Sequence, residues 1–323
     1  MPVVGFIWGG SAETKAGKDR VAAVRKGLQE SGFIEGTNYS LAVRFAEGNL
    51  DRLPQLLMEL GALKPRVIVT SGYVSRSFSQ FVPDVPMVFT GIAVDPVEIG
   101  LVQSFTRPGG LITGNIMNAA GGELTIAQKR FGLFEQLVPD LKRVGLIGLA
   151  PTFLEMSPEE RLQKRGVAQG YLTLKEKEAL QQVGSQSGFE VIAYYLKTID
   201  DLESAFAAGV RDDVSAFYIS TEPMLYANLS RVVNFATASR RPSVSTVPDW
   251  GRAGLLMSYA TDLLDGARRA GVYAAKILDG AKPGDLPIEQ ASKFTLVINQ
   301  KTAKTLGIIV PPTLLAVADE VIE

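Results

Sequence analysis

"VPMVFTGIAVDPVEIG", residues 85–100, decides the fold. Its first five residues are a short apolar run of the kind buried on both faces of a parallel sheet. The run breaks at Thr90-Gly91. At Asp95-Pro96 an N-cap residue precedes a proline at the first helical position, so the segment reads as strand, loop, then helix over Val97 to Phe105. Thr90 and Gly91 fall in the gap, where a hydroxyl and an N–H can face a ligand while Asp95 anchors the helix behind them. For Asp95 itself capping is the first reading and ligand contact the second.

The same unit recurs on both sides. "VVGFIW" (3–8) precedes a helical stripe of Val21, Val24 and Leu28 that stops at Gly32, and "YSLAVRF" (39–45) precedes Leu53 to Leu63. "RVIVTSG" (66–72) precedes Tyr73 to Phe81. Strand and helix alternating in this way predict a doubly wound α/β lobe. The rhythm restarts with "TGNIM" (113–117), a helix bearing Leu124, Phe131, Phe134 and Leu137, and the strands "RVGLIGL" (143–149), "FEVIAYYL" (189–196), "VSAFYIS" (214–220) and "RPSVSTV" (241–247). A second α/β lobe follows.

A helical stretch after Met257 to Leu278, then "GAKPGDLP" (280–287) and the strand "FTLVIN" (294–299), predict that the chain revisits each lobe. The expected division is 1–117 with 259–283 against 118–258 with 284–323. Residues 151–181 interrupt the pattern with a polar, densely charged run, read as a solvated helical insertion.

Composition narrows the chemistry. At 323 residues the chain exceeds one ordinary core, in keeping with two lobes. Its 33 Lys plus Arg against 34 Asp plus Glu give no field that would draw it to nucleic acid. With no histidine and no cysteine it lacks the usual neutral-pH base, thiolate nucleophiles, disulfides and the commonest metal ligands, so no catalytic residue, metal or cofactor is expected. No apolar run is long enough to span a bilayer. Met1-Pro2 leads straight into the first strand, so the chain reads as cytosolic or as a trimmed mature form.

In open α/β sheets ligands sit beyond the carboxyl ends of the strands. The segments there are "GGS" (9–11), "TSGY" (70–73), "TGIAVDP" (90–96), "LAPT" (149–152), "STEP" (220–223) and "TVPDW" (246–250). Gly, Ser and Thr dominate them, which suits a carboxylate or similar anion. No P-loop or post-strand G-x-G-x-x-G occurs, and "GSQSG" (184–188) has Gln186 where a nucleophile elbow needs serine. Glu is a poor N-cap, so Glu222 before Pro223 is read either as a cap or as the partner of a cationic group. Trp8, Tyr73, Phe89, Tyr226 and Trp250 lie near strand ends, as core residues or as aromatic walls. The candidate ligand set is Trp8, Gly10, Ser11, Ser71, Gly72, Tyr73, Thr90, Gly91, Asp95, Asn115, Thr152, Glu222, Tyr226 and Asp249.

Three blocks carry a family resemblance: residues 27–56, residues 85–114 with Asp95-Pro96-Val97 and Arg107-Pro108-Gly109-Gly110, and residues 254–323 with "KFTLVIN" (293–299). The chain resembles the substrate-binding proteins of ABC importers, in the family that includes tryptophan- and tyrosine-binding members. The resemblance implies a type I periplasmic-binding-protein fold with three crossovers, and a monomer that closes on a solute and delivers it to a membrane permease without inserting in the membrane. It further implies an extracytoplasmic location and a precursor with an export signal. On that pattern Ser11, Ser71 to Tyr73 and Thr90-Gly91 hold a carboxylate, while Glu222 and Asp249 face an amine. Where relatives carry a small hydroxyl residue after T-G-V, this chain has Asn115 and Ile116.

Two other functions share the scaffold. A sensor like the ligand-binding part of a repressor calls for a helix-turn-helix ahead of residue 1. An amino-acid racemase usually relies on a pair of cysteines for proton transfer, and there are none.

Overall fold

Valine and isoleucine fill the apolar runs of the first 117 residues, and five of those runs pair as one sheet in the computed structural model. The structure describes residues 1–72, 78–118, 122–155, 157 and 170–323. The strands β1 (Val3–Trp8), β2 (Ser40–Phe45), β3 (Val67–Ser71), β4 (Met87–Ile92) and β5 (Ile112–Ile116) run in the order β2-β1-β3-β4-β5, all parallel. Helices α1 (Lys15–Glu30), α2 (Leu53–Ala62) and α3 (Phe78–Phe81) connect them. Val4, Phe6, Val67 and Val69 face one cover, and Ile7, Ile68, Met87 and Phe89 the other, so two apolar clusters flank the sheet. Coverage of both faces is what continuous apolar strands require.

The chain then enters a second unit. Its first elements are α4 (Gly122–Phe134), β6 (Arg143–Leu149), α5 (Tyr171–Ser187), β7 (Glu190–Leu196), α6 (Leu202–Arg211) and β8 (Ala216–Ile219). They are followed by α7 (Pro223–Ala227), α8 (Leu229–Ala238), β9 (Ser243–Ser245), α9 (Pro248–Ala253) and β10 (Met257–Thr261). Helix α10 (Leu263–Leu278) belongs again to the first unit. The chain returns to the second with β11 (Phe294–Asn299), α11 (Gln300–Leu306), α12 (Pro312–Val317) and β12 (Glu320–Ile322).

The units are Met1–Met117 with Asp262–Ala291, and Asn118–Thr261 with Ser292–Glu323, so the chain passes between them three times. Two boundaries depart from expectation. Residues 259–261 stay in the second unit because Met257–Thr261 is a strand paired with β9 and β11, not the start of a helix. Residues 284–291 stay in the first because Ile288 N–H bonds Phe105 O at 2.7 Å and Glu289 N–H bonds Gly114 O at 3.0 Å.

The second sheet has seven strands in the order β12-β11-β10-β9-β8-β6-β7. It is parallel except that β11 runs antiparallel to β10, a pairing that apolar patterning alone does not reveal. One cluster under it gathers Phe131, Phe134, Leu146, Leu180, Tyr218, Met257 and Ile298.

Three local readings are corrected. Strand β4 does not end at Phe89: it continues to Ile92 through an irregular pairing with β5, with Gly91 at φ 68°. After Asp95 there is no helix. Leu101 and Val102 N–H both turn back to Pro96 O, and Gly100 at φ 72° ends the turn. Residues 171–181 are not a solvated insertion but the first eleven residues of α5, which buries Tyr171, Thr173, Glu176, Ala179 and Leu180. Residues 156 and 158–169 of that stretch lie outside the described residues.

Helices α1 and α10 touch through glycines. A Cβ on Gly27 would lie 1.9 Å from Arg268 O, and one on Gly271 2.2 Å from Val24 O. The backbones meet there because neither residue has a side chain. Among the described residues no helix is long and apolar enough to cross a membrane.

Candidate functional site

Strand order locates the candidate edges. In the first sheet the chain winds outward in both directions from the β1/β3 pair, and in the second from β6/β8. These are the topological switch points, where loops leave the carboxyl ends in opposite directions and a crevice opens.

At the β1/β3 point of the first unit, Trp8 ends β1 half-buried, with its ring edge-on to Phe45 at 6.3 Å between centroids. A Cβ on Gly10 would come within 2.4 Å of that ring, so Gly10 is the residue that lets the indole lie against its own loop. The Arg20 guanidinium covers the ring, its Cζ 4.3 Å from the centroid. Ser11 O accepts from the Thr14 hydroxyl at 2.8 Å, and Ala12 N–H donates to Glu47 at 3.1 Å. Bonds from the Ser11 side chain and then from the Ala12 amide hold the exposed Glu47 carboxyl below its ordinary range. Ser71 closes β3 with 8% exposure and Gly72 follows it, while Tyr73 lies outside the described residues.

Thr90 and Asn115 meet inside the first unit. Thr90 donates its hydroxyl to Asn115 Oδ1 at 2.9 Å, and Asn115 Nδ2 donates to Gly266 O of α10 at 2.9 Å. Each is 2% exposed. The Asp95 carboxylate accepts from Val97 N–H at 2.8 Å and Glu98 N–H at 3.2 Å, so it does cap, but what it caps is a turn.

At the β6/β8 point of the second unit, Glu222 is buried and accepts at one oxygen both the Thr173 N–H at 2.9 Å and the Thr173 hydroxyl at 3.1 Å. Thr173 is the third residue of α5, whose N-cap is Gly170 without a side-chain bond. Glu222 therefore supplies from 49 residues away the cap that α5 lacks locally. Its position before Pro223 makes no side-chain cap for α7. Thr152 begins a short 3₁₀ turn and is half-buried. The Tyr226 hydroxyl donates to Asp249 at 2.5 Å, and Asp249 also takes Arg252 at 2.8 Å, so the acid expected to face a ligand amine already has a cation. Phe89 and Trp250 are core, each 0% exposed.

Three charged residues escaped the sequence reading. Glu176, one turn beyond Thr173, accepts from the Ser220 hydroxyl, from the Thr221 N–H at 3.1 Å and from the Thr221 hydroxyl. Burial pushes its carboxyl up to about 8, with the Glu123 charge adding to the rise and the Ser220 and Thr221 bonds opposing it. Arg130, 1% exposed, reaches Tyr259 O at 2.9 Å, the Tyr218 hydroxyl at 3.0 Å and Glu123 at 3.2 Å. The other escaped residue near a switch point is Arg20. Charges inside helical periods carry no local mark that separates a buried one from a wet one.

The model of the ABC transporter substrate binding protein family matches residues 12–322. The chain belongs to that family. Its members bind solutes and are not enzymes, and they act outside the cytoplasm with ABC permeases. Among relatives of this substrate-binding protein is the tyrosine-binding protein of Clostridioides difficile (strain R20291), 21% identical over 282 residues, which are 87% of this chain and 74% of the relative. A Streptococcus pneumoniae ABC domain in complex with L-Trp superposes with a TM-score of 0.80 at 22% identity, covering 99% of both chains. An ABC transporter solute-binding protein from Bacillus halodurans C-125 with bound myo-inositol gives a TM-score of 0.57 at 9% identity over 95% of this chain and 97% of that one. The fold is that of the type I periplasmic binding proteins.

Proposed function

We propose that this substrate-binding protein captures a small carboxylate-bearing solute, an amino acid with an aromatic side chain, and passes it to the permease of an ABC importer. The observation that carries the reading is the family match over residues 12–322, together with two relatives described as binding tyrosine and L-Trp. The chemistry of the switch-point loops supports it. The β1/β3 edge offers an indole, hydroxyls and a guanidinium, groups that suit an aromatic ring and a carboxylate. Two compact units joined by three chain passages are consistent with hinge closure, in which ligand contacts shift the population toward a closed state.

A thermal-shift panel of aromatic amino acids, branched amino acids, aromatic acids and polyols tests the reading, because a ligand bound by the native state alone raises Tm by mass action. Aromatic amino acids are expected to give the largest rise. A rise with polyols and none with amino acids contradicts it.

A further inference from the structure

We propose that Arg20 is the residue of the first unit that takes the solute's carboxylate; the assignment rests on the functional reading above. Arg20 is 7% exposed, yet among the described residues its one hydrogen bond is from Nη1 to Ala16 O at 3.1 Å. A guanidinium has five N–H donors, so four are left. Among the described residues no carboxylate lies within ion-pair distance of it. The other buried arginine differs, since Arg130 has Glu123 at 3.2 Å, and so does the partly buried Arg269, with Asp265 at 3.2 Å and Glu289 at 2.8 Å. A charge taken out of water without a counter-charge is costly. A site that receives an anion recovers that cost on binding.

The geometry says which part of the guanidinium is used and which is open. Its Cζ lies over the Trp8 ring at 4.3 Å from the centroid, and Ala16 O takes one donor at Nη1. What remains is the in-plane fork, the part that grips a carboxylate through two parallel bonds. Gly10 and Phe45 hold the ring, so the guanidinium rests on a fixed platform. That platform stands at the β1/β3 switch point.

The second unit provides an internal comparison. Counting from Lys15, Arg20 is the sixth residue of the helix after the switch-point strand β1, and counting from Tyr171, Glu176 is the sixth residue of the helix after the switch-point strand β6. Glu176 is filled by Ser220 and Thr221 of its own unit. Among the described residues Arg20 has no such filling.

The test is calorimetric titration of wild type, Arg20→Met and Arg20→Lys with L-tryptophan and L-tyrosine, and with tryptamine and tyramine, which keep ring and amine but lack the carboxylate. Arg20→Met is expected to weaken amino-acid binding by roughly 10- to 100-fold while leaving the amines unchanged, so that the preference for the carboxylate collapses. Arg20→Lys, with a point charge in place of the fork, retains part of that preference and guards against a folding defect in the methionine variant. If wild type prefers the amino acids and Arg20→Met keeps the same ratio, this assignment is wrong and the functional reading stands. If wild type binds neither amino acid, the functional reading fails and the assignment falls with it.

Discussion

The Thr90 hydroxyl donates to Asn115 Oδ1 at 2.9 Å, and through Asn115 the ends of β4 and β5 are tied to α10 at Gly266 O. A threonine that the sequence offers to a ligand is thus committed to its own unit. Thr90→Val removes the donor and leaves a buried amide oxygen unpaired, at a cost of about 1–3 kcal/mol. Urea unfolding of the variant is expected to show a lower midpoint with an unchanged slope. An unchanged midpoint with weakened solute binding favours the ligand role instead.

Glu222 makes a similar commitment. Its carboxylate takes two bonds from Thr173 at the start of α5, so Glu222→Ala should cost about 1–3 kcal/mol through the lost cap and the stranded donors. Glu222→Gln keeps an acceptor in place and should cost less. Equal melting temperatures for wild type and the alanine variant argue against the capping role.

The α1–α10 contact leaves no room for a methyl group. Gly27→Ala places a Cβ 1.9 Å from a backbone carbonyl oxygen, and the helices must separate, at about 1–3 kcal/mol or more. Thermal unfolding is the readout, and a variant as stable as wild type means that the two backbones do not meet at this point.

Much of the fold was legible because both-face burial writes itself as uninterrupted apolar runs, such as Val67–Ser71 and Arg143–Leu149, and because α1 keeps its stripe at Val21, Val24 and Leu28. What was not legible depends on distant partners. Asp95-Pro96 carries a helix-opening signature, but backbone bonds to Pro96 O close a turn first. The charged run containing Glu176 looks wet because its partners Ser220 and Thr221 lie 44 and 45 residues away. Of the candidate site, the loops could be named from the strand ends. Which of their polar groups are spoken for could not, since the bonds of Thr90 and Glu222, and the bond from Tyr226 to Asp249, cross between elements.

Glu176 gives stability a pH dependence of known sign. Its carboxyl ionises near 4.5 in the unfolded chain and near 8 in the folded one, so between those values the folded state binds more protons. Stability must then fall as pH rises through that window, by at most about 1.4 kcal/mol per pH unit from this group. Glu176→Gln removes the titration, and its stability relative to wild type should improve steadily from pH 5 to pH 8 in urea unfolding. A difference that stays constant with pH shows that the carboxyl titrates in the ordinary range.

On the function proposed, this protein holds an aromatic amino acid without altering it. Isothermal titration of the purified protein with L-tryptophan and L-tyrosine, with the solute recovered afterward and assayed by chromatography, tests that most directly. Saturable one-to-one binding with every recovered molecule unchanged is the predicted result. No heat of binding from either solute, or recovery of a transformed product, contradicts it.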